Sequence, residues 1–140
     1  MDWLAHAAAH PVARLATIRP DGTPRLVPIT FALVDGLVCL AVDEVKPKRS
    51  TRLARLTDVA RDPRAAVLVD HYDADWARLW WVRIDGTAAV HDTGALRERA
   101  LDALCAKYPP YAAARPDGVV LVLTPTEVRG WSGAAPLTGR

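Results

Sequence analysis

The sequence is poor in the residues that build metal centres and covalent cross-links. It has two cysteines and four histidines, and none of them stands in a C-x-x-C or a Cys/His spacing. Such spacings are the usual sequence signal for a zinc or redox site, so we expect neither. Cys39 lies in an apolar run and Cys105 in a segment with helical periodicity. We therefore expect two unpaired core thiols and a reducing, cytoplasmic compartment.

Long apolar runs and strong net charge are also missing. No stretch of 18 or more apolar residues is present, and the N-terminus lacks a basic region followed by an apolar one. We therefore expect no membrane span and no signal peptide. The net charge of +2 is too small to indicate nucleic acid by itself. The length of 140 residues predicts one domain, 1–140, with an N-terminal helix in 1–10 and a flexible tail in 134–140.

What the chain does contain is a series of short apolar segments separated by turn residues. Tight turns at 19–23 and at Asp35-Gly36 join successive segments, which predicts antiparallel pairing and excludes a parallel sheet. Two helices, 50–62 and 93–108, interrupt the series. A loop is expected at 111–118. The pattern predicts a mainly β protein, a small antiparallel barrel with flanking helices. The expected strands are 12–18, 24–33, 37–42, 64–70, 78–90 and 119–131.

Two residues mark irregular positions in these strands. Pro28 cannot donate to a strand ladder, so its strand is expected to be an edge strand or to bulge there. Such a strand is either an ordinary edge or one whose backbone at 27–30 faces a ligand. Gly86 predicts a bulge or bend in the strand that contains it.

Basic residues cluster in one segment. Residues 45–63 hold six of the 18 lysines and arginines, in a short loop that continues as a helix capped by Ser50 or Thr51. A helix N-terminus favours anions, so this segment predicts a phosphate site. A solvated basic face and a nucleic-acid-facing helix are the alternatives. The latter is disfavoured because apolar residues at helical spacing in the same helix need burial. The six basic residues are Lys46, Lys48, Arg49, Arg52, Arg55 and Arg61.

Tryptophans are concentrated in another segment. Three of the five fall between Trp76 and Trp81, which indicates a core contact, a subunit interface or a ligand pocket. Trp131 lies between Gly130 and Gly133, where a mobile segment following the last strand could close a cofactor site. Plugging of the barrel end is the alternative role for this side chain.

Taken together, these segments resemble the pyridoxamine 5′-phosphate oxidase-like split β-barrel flavoproteins. The likeness is stronger to the branch that depends on coenzyme F420, an 8-hydroxy-5-deazaflavin. The motifs run in order over most of residues 12–90, and the C-terminal third matches less well apart from Gly130-Trp131. The matching segments are 13–17 (A-R-L-A-T), 21–24 (D-G-T-P), 26–29 (L-V-P-I), 46–48 (K-P-K), 53–56, 62–65 (D-P-R-A), 70–72 (D-H-Y), 75–76 and 79–83 (L-W-W-V-R).

The resemblance implies a homodimer with two cofactor sites at the subunit interface. It implies an F420-dependent oxidoreductase that transfers hydride between the reduced deazaflavin and a small organic substrate. The phosphate would lie on the basic loop and the ring along residues 27–30, with no catalytic side chain, no metal and no nucleic acid. The alternatives are an FMN-dependent oxidase or reductase of the same fold and a non-enzymatic F420-binding or storage protein. The implied cofactor-binding residues are Val27, Pro28, Ile29, Thr30, Lys46, Pro47, Lys48, Arg49, Arg52, Trp81 and Trp131.

Overall fold

The chain folds around one antiparallel sheet of seven strands with helices packed at its periphery. The computed structural model describes residues 1–42 and 50–134, with the backbone alone for residues 50–53. The predicted mainly β fold with flanking helices is confirmed. The strands are β1 Ala13–Ile18, β2 Pro24–Ile29, β3 Ala32–Val34, β4 Leu37–Val42, β5 Arg64–His71, β6 Trp80–His91 and β7 Val119–Ser132. The helices are α1 Trp3–Ala8, α2 Ser50–Arg61, α3 Ala95–Lys107 and α4 Pro109–Ala113.

The strand order β2-β1-β5-β6-β7-β4-β3 places β2 and β3 at the two ends of the sheet. Only Thr30 and Phe31 separate these strands in the chain, so the sheet must curve until its two ends meet. This curvature produces the split barrel. The prediction of one strand over 24–33 is wrong, because the chain turns a corner at Thr30-Phe31 and changes its pairing partner from β1 to β4.

Local chemistry explains the two predicted hairpin turns. Asp35 and Gly36 have φ values of 52° and 79°, the left-handed pair that a type I′ turn requires between β3 and β4. In the turn between β1 and β2, the Asp21 carboxylate accepts hydrogen bonds from the Thr23 amide at 3.0 Å and the Thr23 hydroxyl at 2.6 Å. Both turns therefore stabilise the antiparallel pairing that the sequence predicts.

Two apolar clusters lie on opposite faces of β4. Val38, Leu40 and Val42 face the barrel interior, whereas Cys39 packs against α3. β4 is therefore buried on both faces, by the barrel interior on one side and by α3 on the other. Cys39 and Cys105 are both free thiols, and only Cys39 is fully buried.

The irregular positions in the strands are also confirmed. Pro28 lies in β2, which pairs with β1 alone among the described strands and is therefore an edge. The register of β6 against β7 shifts between Asp85 and Gly86, which is the predicted bulge. A Cβ atom on Gly86 would lie 2.1 Å from the Thr124 carbonyl oxygen, so only glycine fits there.

The helices agree with the predictions except in the segment that follows residue 108. α1 begins after Asp2, whose carboxylate accepts from the Ala5 amide at 3.1 Å as an N-cap. α2 ends at Arg61, just before Pro63, as expected. The expected loop at 111–118 begins instead with α4, because Pro109 and Pro110 occupy the first turn of a helix, where proline costs no hydrogen bond. In the part of the chain that the structure describes, no helix combines the length and apolarity needed to cross a membrane.

Candidate functional site

A cavity of about 170 Å³ lies where the two ends of the sheet meet. The end of the edge strand β2 forms one wall, and β4, α2 and α4 form the others. Three of the four predicted ring-contacting residues line it. The fourth, Val27, is half-buried and packs against the barrel core. The lining residues are Pro28, Ile29, Thr30, Leu40, Ala41, Arg55 and Tyr111.

A pair of hydroxyl groups forms the polar end of this cavity. The Thr30 Oγ1 and Tyr111 Oη atoms are 2.9 Å apart, within hydrogen-bond distance. The two residues are 81 positions apart in sequence and meet because α4 packs over the corner between β2 and β3. The Tyr108 and Tyr111 rings contact each other edge-to-face with centroids 5.7 Å apart, which fixes the orientation of both side chains.

Tyr108 and Lys107 hold the corner itself in place. The Phe31 amide donates to the Tyr108 hydroxyl at 3.0 Å, and that hydroxyl lies 2.8 Å from the Pro11 carbonyl oxygen, to which it can donate. The Lys107 ammonium donates to the Phe31 carbonyl at 2.9 Å and lies 3.7 Å above the Phe31 ring centroid. Burial lowers the pKa of Lys107 to about 8, because the desolvated site disfavours the charged form.

α2 reaches the cavity from the other side through Arg55, of which 9% is exposed. One turn further along α2, the buried Asp58 carboxylate fixes the helix to the sheet. It accepts from Arg25 Nε at 2.6 Å, from the Thr17 hydroxyl at 2.8 Å and from Arg61 at 3.3 Å. Burial opposes ionisation, but these hydrogen bonds outweigh it, so the pKa of Asp58 is below its ordinary value.

The remaining predicted residues fall into two groups. Lys46, Pro47, Lys48 and Arg49 lie outside the described residues, and for Arg52 the structure describes only the backbone, in the first turn of α2. Their roles stay predictions. The described part of α2 shows that this helix leads from the basic segment to the cavity.

Trp81 and Trp131 lie opposite each other on β6 and β7, and neither lines the cavity. Val82, which follows Trp81 on β6, faces the core, so Trp81 and the directly opposite Trp131 lie on the outer face of the sheet. β7 extends through Ser132, so Trp131 lies within the last strand, as the expected strand 119–131 implies, and not in a segment that follows it. The structure therefore does not bring these tryptophans to the predicted site within one chain.

The outer face has a larger depression of about 400 Å³. Small side chains such as Ala16 and Ala66 line it, together with Asp85 and Arg64. Leu26 and Leu68 on the same face are 69% and 38% exposed, and Trp131 is 39% exposed. Most of the residues that line this depression are apolar, whereas two hydroxyl groups form the polar end of the smaller cavity.

Sequence reasoning missed Tyr111, Tyr108 and Lys107. The predicted helix 93–108 stops before Pro109-Pro110 because proline cannot continue a helix, although proline is equally suited to the first turn of the next one. That second interpretation would have placed Tyr111 on a helix. It would not have shown which strand end the helix contacts. No group of three or more His, Cys, Asp or Glu side chains in the described ranges is arranged to hold a metal ion.

Comparison with known proteins fits this architecture. Residues 3–132 match the family model for pyridoxamine 5′-phosphate oxidase, which is nearly the whole chain. The chain belongs to the pyridoxamine 5′-phosphate oxidase family. The predicted wider family is thereby confirmed.

Solved structures with the same fold share little sequence with this member of the family. A conserved hypothetical protein from Mycobacterium tuberculosis is 22% identical with a TM-score of 0.75, over 94% of this chain and 83% of that one. A heme binding protein from Mycobacterium smegmatis is 21% identical with a TM-score of 0.66, over 94% of this chain and 55% of that one. An FAD binding protein from the same organism is 16% identical with a TM-score of 0.59, over 91% and 88%. At these identities the likeness establishes the fold.

The donor groups at the cavity suit part of a flavin-like ligand. Hydroxyl and guanidinium groups donate hydrogen bonds to oxygen atoms, and these bonds are strongest when the oxygen carries negative charge. The cavity is smaller than the roughly 300–1,000 Å³ of pockets that enclose a whole ligand, so it can take only one end of such a molecule. The exposed edge of β2 beside it leaves room for the rest.

Proposed function

We propose that this chain is an F420-dependent oxidoreductase that transfers hydride between the reduced deazaflavin and a small organic substrate. The observation that carries the proposal is the position of the cavity. It lies at the end of the edge strand that the sequence motifs assign to the ring, and α2 connects it to the basic segment that they assign to the phosphate. Family membership supports the flavin-like cofactor, and the sequence motifs in residues 12–90 support the deazaflavin branch.

The deazaflavin supplies the hydride chemistry when it is bound, and the protein supplies binding and orientation. The backbone of Pro28–Thr30 would face the ring. The cations of residues 46–55 would hold the phosphate and the carboxylates of the tail. The apolar side chains of Ile29 and Leu40 would exclude water from the part of the ligand that enters the cavity.

We also propose that two copies associate through the outer face of the sheet. Leu26, Leu68 and Trp131 are large exposed apolar side chains on one surface. The ion pairs Arg14–Asp70 and Arg83–Asp85 lie on the same face, with Arg14 and Arg83 opposite Leu68 on the two neighbouring strands, so the interface would be partly polar. A stable homodimer should bury on the order of 1,600 Å² in total. Light scattering at micromolar concentration should give the mass of a dimer, and a monomer would contradict this arrangement.

Titration of the purified protein with the deazaflavin and with FMN, side by side, tests the cofactor. Fluorescence quenching should give tighter binding for the deazaflavin, because its anionic tail uses more of the basic segment than one phosphate does.

Arg52→Ala should weaken binding by roughly one to two decades, the cost of a charge-assisted hydrogen bond of about 1.5–3 kcal/mol. Lys46→Ala should have a smaller effect that disappears at high salt. FMN binding as tight as deazaflavin binding, or an unchanged Arg52→Ala, would refute the assignment.

FMN dependence is the second candidate. The name of the matched family and the FAD binding neighbour favour it. A protein that purifies yellow, with flavin absorbance, would establish this alternative. A storage or sequestering role for the deazaflavin would instead give binding without substrate turnover.

A further inference from the structure

We propose that α1 is a pH-sensitive cover on the barrel core, and that protonation of His10, facing His71, weakens the docking of this helix. His10 follows the last residues of α1, and His71 is the last residue of β5. Neither histidine lines the cavity of about 170 Å³, so this device is independent of which cofactor the protein binds.

Apolar contacts show what α1 covers. Ala7 is fully buried, and Trp3 and Leu4 pack against the apolar cluster inside the barrel. The Trp3 ring lies directly on the backbone of Gly130 in β7, since a Cβ atom on this glycine would lie 2.0 Å from Trp3 Cδ2. Release of α1 would therefore expose apolar side chains of the barrel core to water.

A cluster of aromatic rings lies beside these apolar contacts. The ring of Trp80, the first residue of β6, has its centroid 4.5 Å from that of His6, 5.4 Å from that of His10 and 6.3 Å from that of His71. The His10 and His71 centroids are 6.4 Å apart. The segment that carries α1 thus meets β5 and β6 through side chains that change charge near neutral pH.

Most of the charged groups that act on His10 are cationic. Lys107 of α3, Arg14 of β1 and His71 of β5 all oppose a positive charge on its ring. Asp70 favours such a charge, but its carboxylate is shared, because Oδ1 lies 3.7 Å from Arg14 Nη1. Protonation of His10 therefore adds a positive charge where positive charge already predominates.

Two further titratable groups belong to the same cluster. Asp73 follows β5, and its Oδ2 atom lies 3.6 Å from His71 Nε2, so this carboxylate is placed against His71. His6 lies on the exposed side of the cluster and is itself basic. Neither group offsets a charge on His10.

The direction of the His10 pKa fixes the sign of the pH dependence. Burial is the largest cause that lowers this pKa below its ordinary value of 6.5, followed by the charge of His71. Release of α1 returns His10 to water, where it binds the proton more tightly. Docking is therefore fully stable above pH 6.5 and weakens as the pH falls from there to the lower value of the docked state.

Hydrogen exchange of the full chain, at about pH 7.5 and about pH 5.5, tests the proposal. NMR follows the amide of the buried Ala7, with rates corrected for the intrinsic pH dependence of exchange. We expect protection in the wild type to fall by about three-fold or more on acidification. His10→Gln cannot take up the proton, so its protection should change by less than about two-fold.

His91→Gln is the matched control, because this fourth histidine lies at the other end of β6 from Trp80. It should behave like the wild type. His71→Gln is a second variant, which removes the cation that faces His10 and should also reduce the loss of protection. Equal losses in the wild type and His10→Gln would overturn the proposal, and so would unchanged protection in the wild type. A full loss in His71→Gln would contradict the role of the facing histidine.

A neutral apolar dye, Nile red, distinguishes release of α1 from fraying of the helix. Release uncovers the apolar surface beneath Trp3 and Leu4, so dye fluorescence should rise on acidification in the wild type and stay level in His10→Gln. Loss of Ala7 protection without a rise in dye fluorescence would show that α1 frays in place, and would overturn the proposal.

Discussion

Two polar clusters anchor the two ends of β2, and they differ in how completely their groups are satisfied. Near the start of the strand, Asp58 is 1% exposed and accepts from Arg25, Thr17 and Arg61. Beyond its end, Thr30 and Tyr111 contact each other beside a cavity. We call these the Asp58 cluster and the Tyr111 corner, the latter including Lys107 and Tyr108.

The difference is what we expect between a structural cluster and a candidate ligand site. A buried carboxylate with several donors is expensive to disturb and has little capacity left for a ligand. The Tyr111 corner keeps a donor at a cavity wall, so a ligand can complete it. α2 joins the two, because Asp58 fixes the helix to the sheet and Arg55 on the same helix lines the cavity.

The largest expected effect is on stability, in the Asp58 cluster. Asp58→Ala leaves Arg25 and Arg61 without their carboxylate and should lower the free energy of unfolding by about 3–5 kcal/mol, as for a broken buried ion pair. Urea denaturation measures this. Asp62→Ala is the matched control, since it removes a carboxylate paired with the exposed Arg64 and should change stability little. Similar losses in both variants would remove the distinction between scaffold and surface.

The next effect is the acid sensitivity of the same cluster. The folded-state pKa of Asp58 is below its ordinary value of 3.8, so its contribution is fully present above pH 3.8. The contribution is lost as the pH falls through the lower folded value, because protons then bind the unfolded state preferentially. Melting temperatures between pH 7 and 2 should therefore fall less steeply for Asp58→Asn than for the wild type. Parallel curves would show that other carboxylates control acid unfolding.

A smaller effect on stability is expected in the Tyr111 corner. Tyr108→Phe leaves the Phe31 amide without its acceptor and should cost about 1–2 kcal/mol. Thermal denaturation measures this, and Tyr111→Phe is the comparison because it removes a hydroxyl at the cavity. We expect Tyr111→Phe to be the less destabilising of the two. The opposite ranking would make Tyr111 a structural residue.

The smallest effect concerns Lys107 at alkaline pH. Its pKa of about 8 in the folded protein lies below the ordinary 10.5, so the unfolded state binds the proton more tightly. Stability should therefore gain from this group as the pH rises from about 8 to 10.5. The difference in melting temperature between wild type and Lys107→Met should change over this interval in favour of the wild type. A constant difference would show that the ammonium is well solvated.

Local chemistry made much of the fold predictable. The Asp35-Gly36 turn, the end of α2 before Pro63 and the edge position of Pro28 each follow from the conformational limits of one or two residues. The bulge at Gly86 belongs to the same group. The cavity was predictable only in part, since residues 27–30 were assigned to a ligand from the edge strand and from family resemblance.

Sequence by itself determined the antiparallel hairpins, the apolar strands, the basic segment and the family, because these depend on residues that are neighbours in the chain. Only the tertiary structure decided that 24–33 breaks at Thr30-Phe31, that Arg25 meets Asp58 and that Tyr111 meets Thr30. The last two pairs are 33 and 81 residues apart. Their contacts depend on the strand order and on where the sheet closes, and the curvature of the whole sheet sets both.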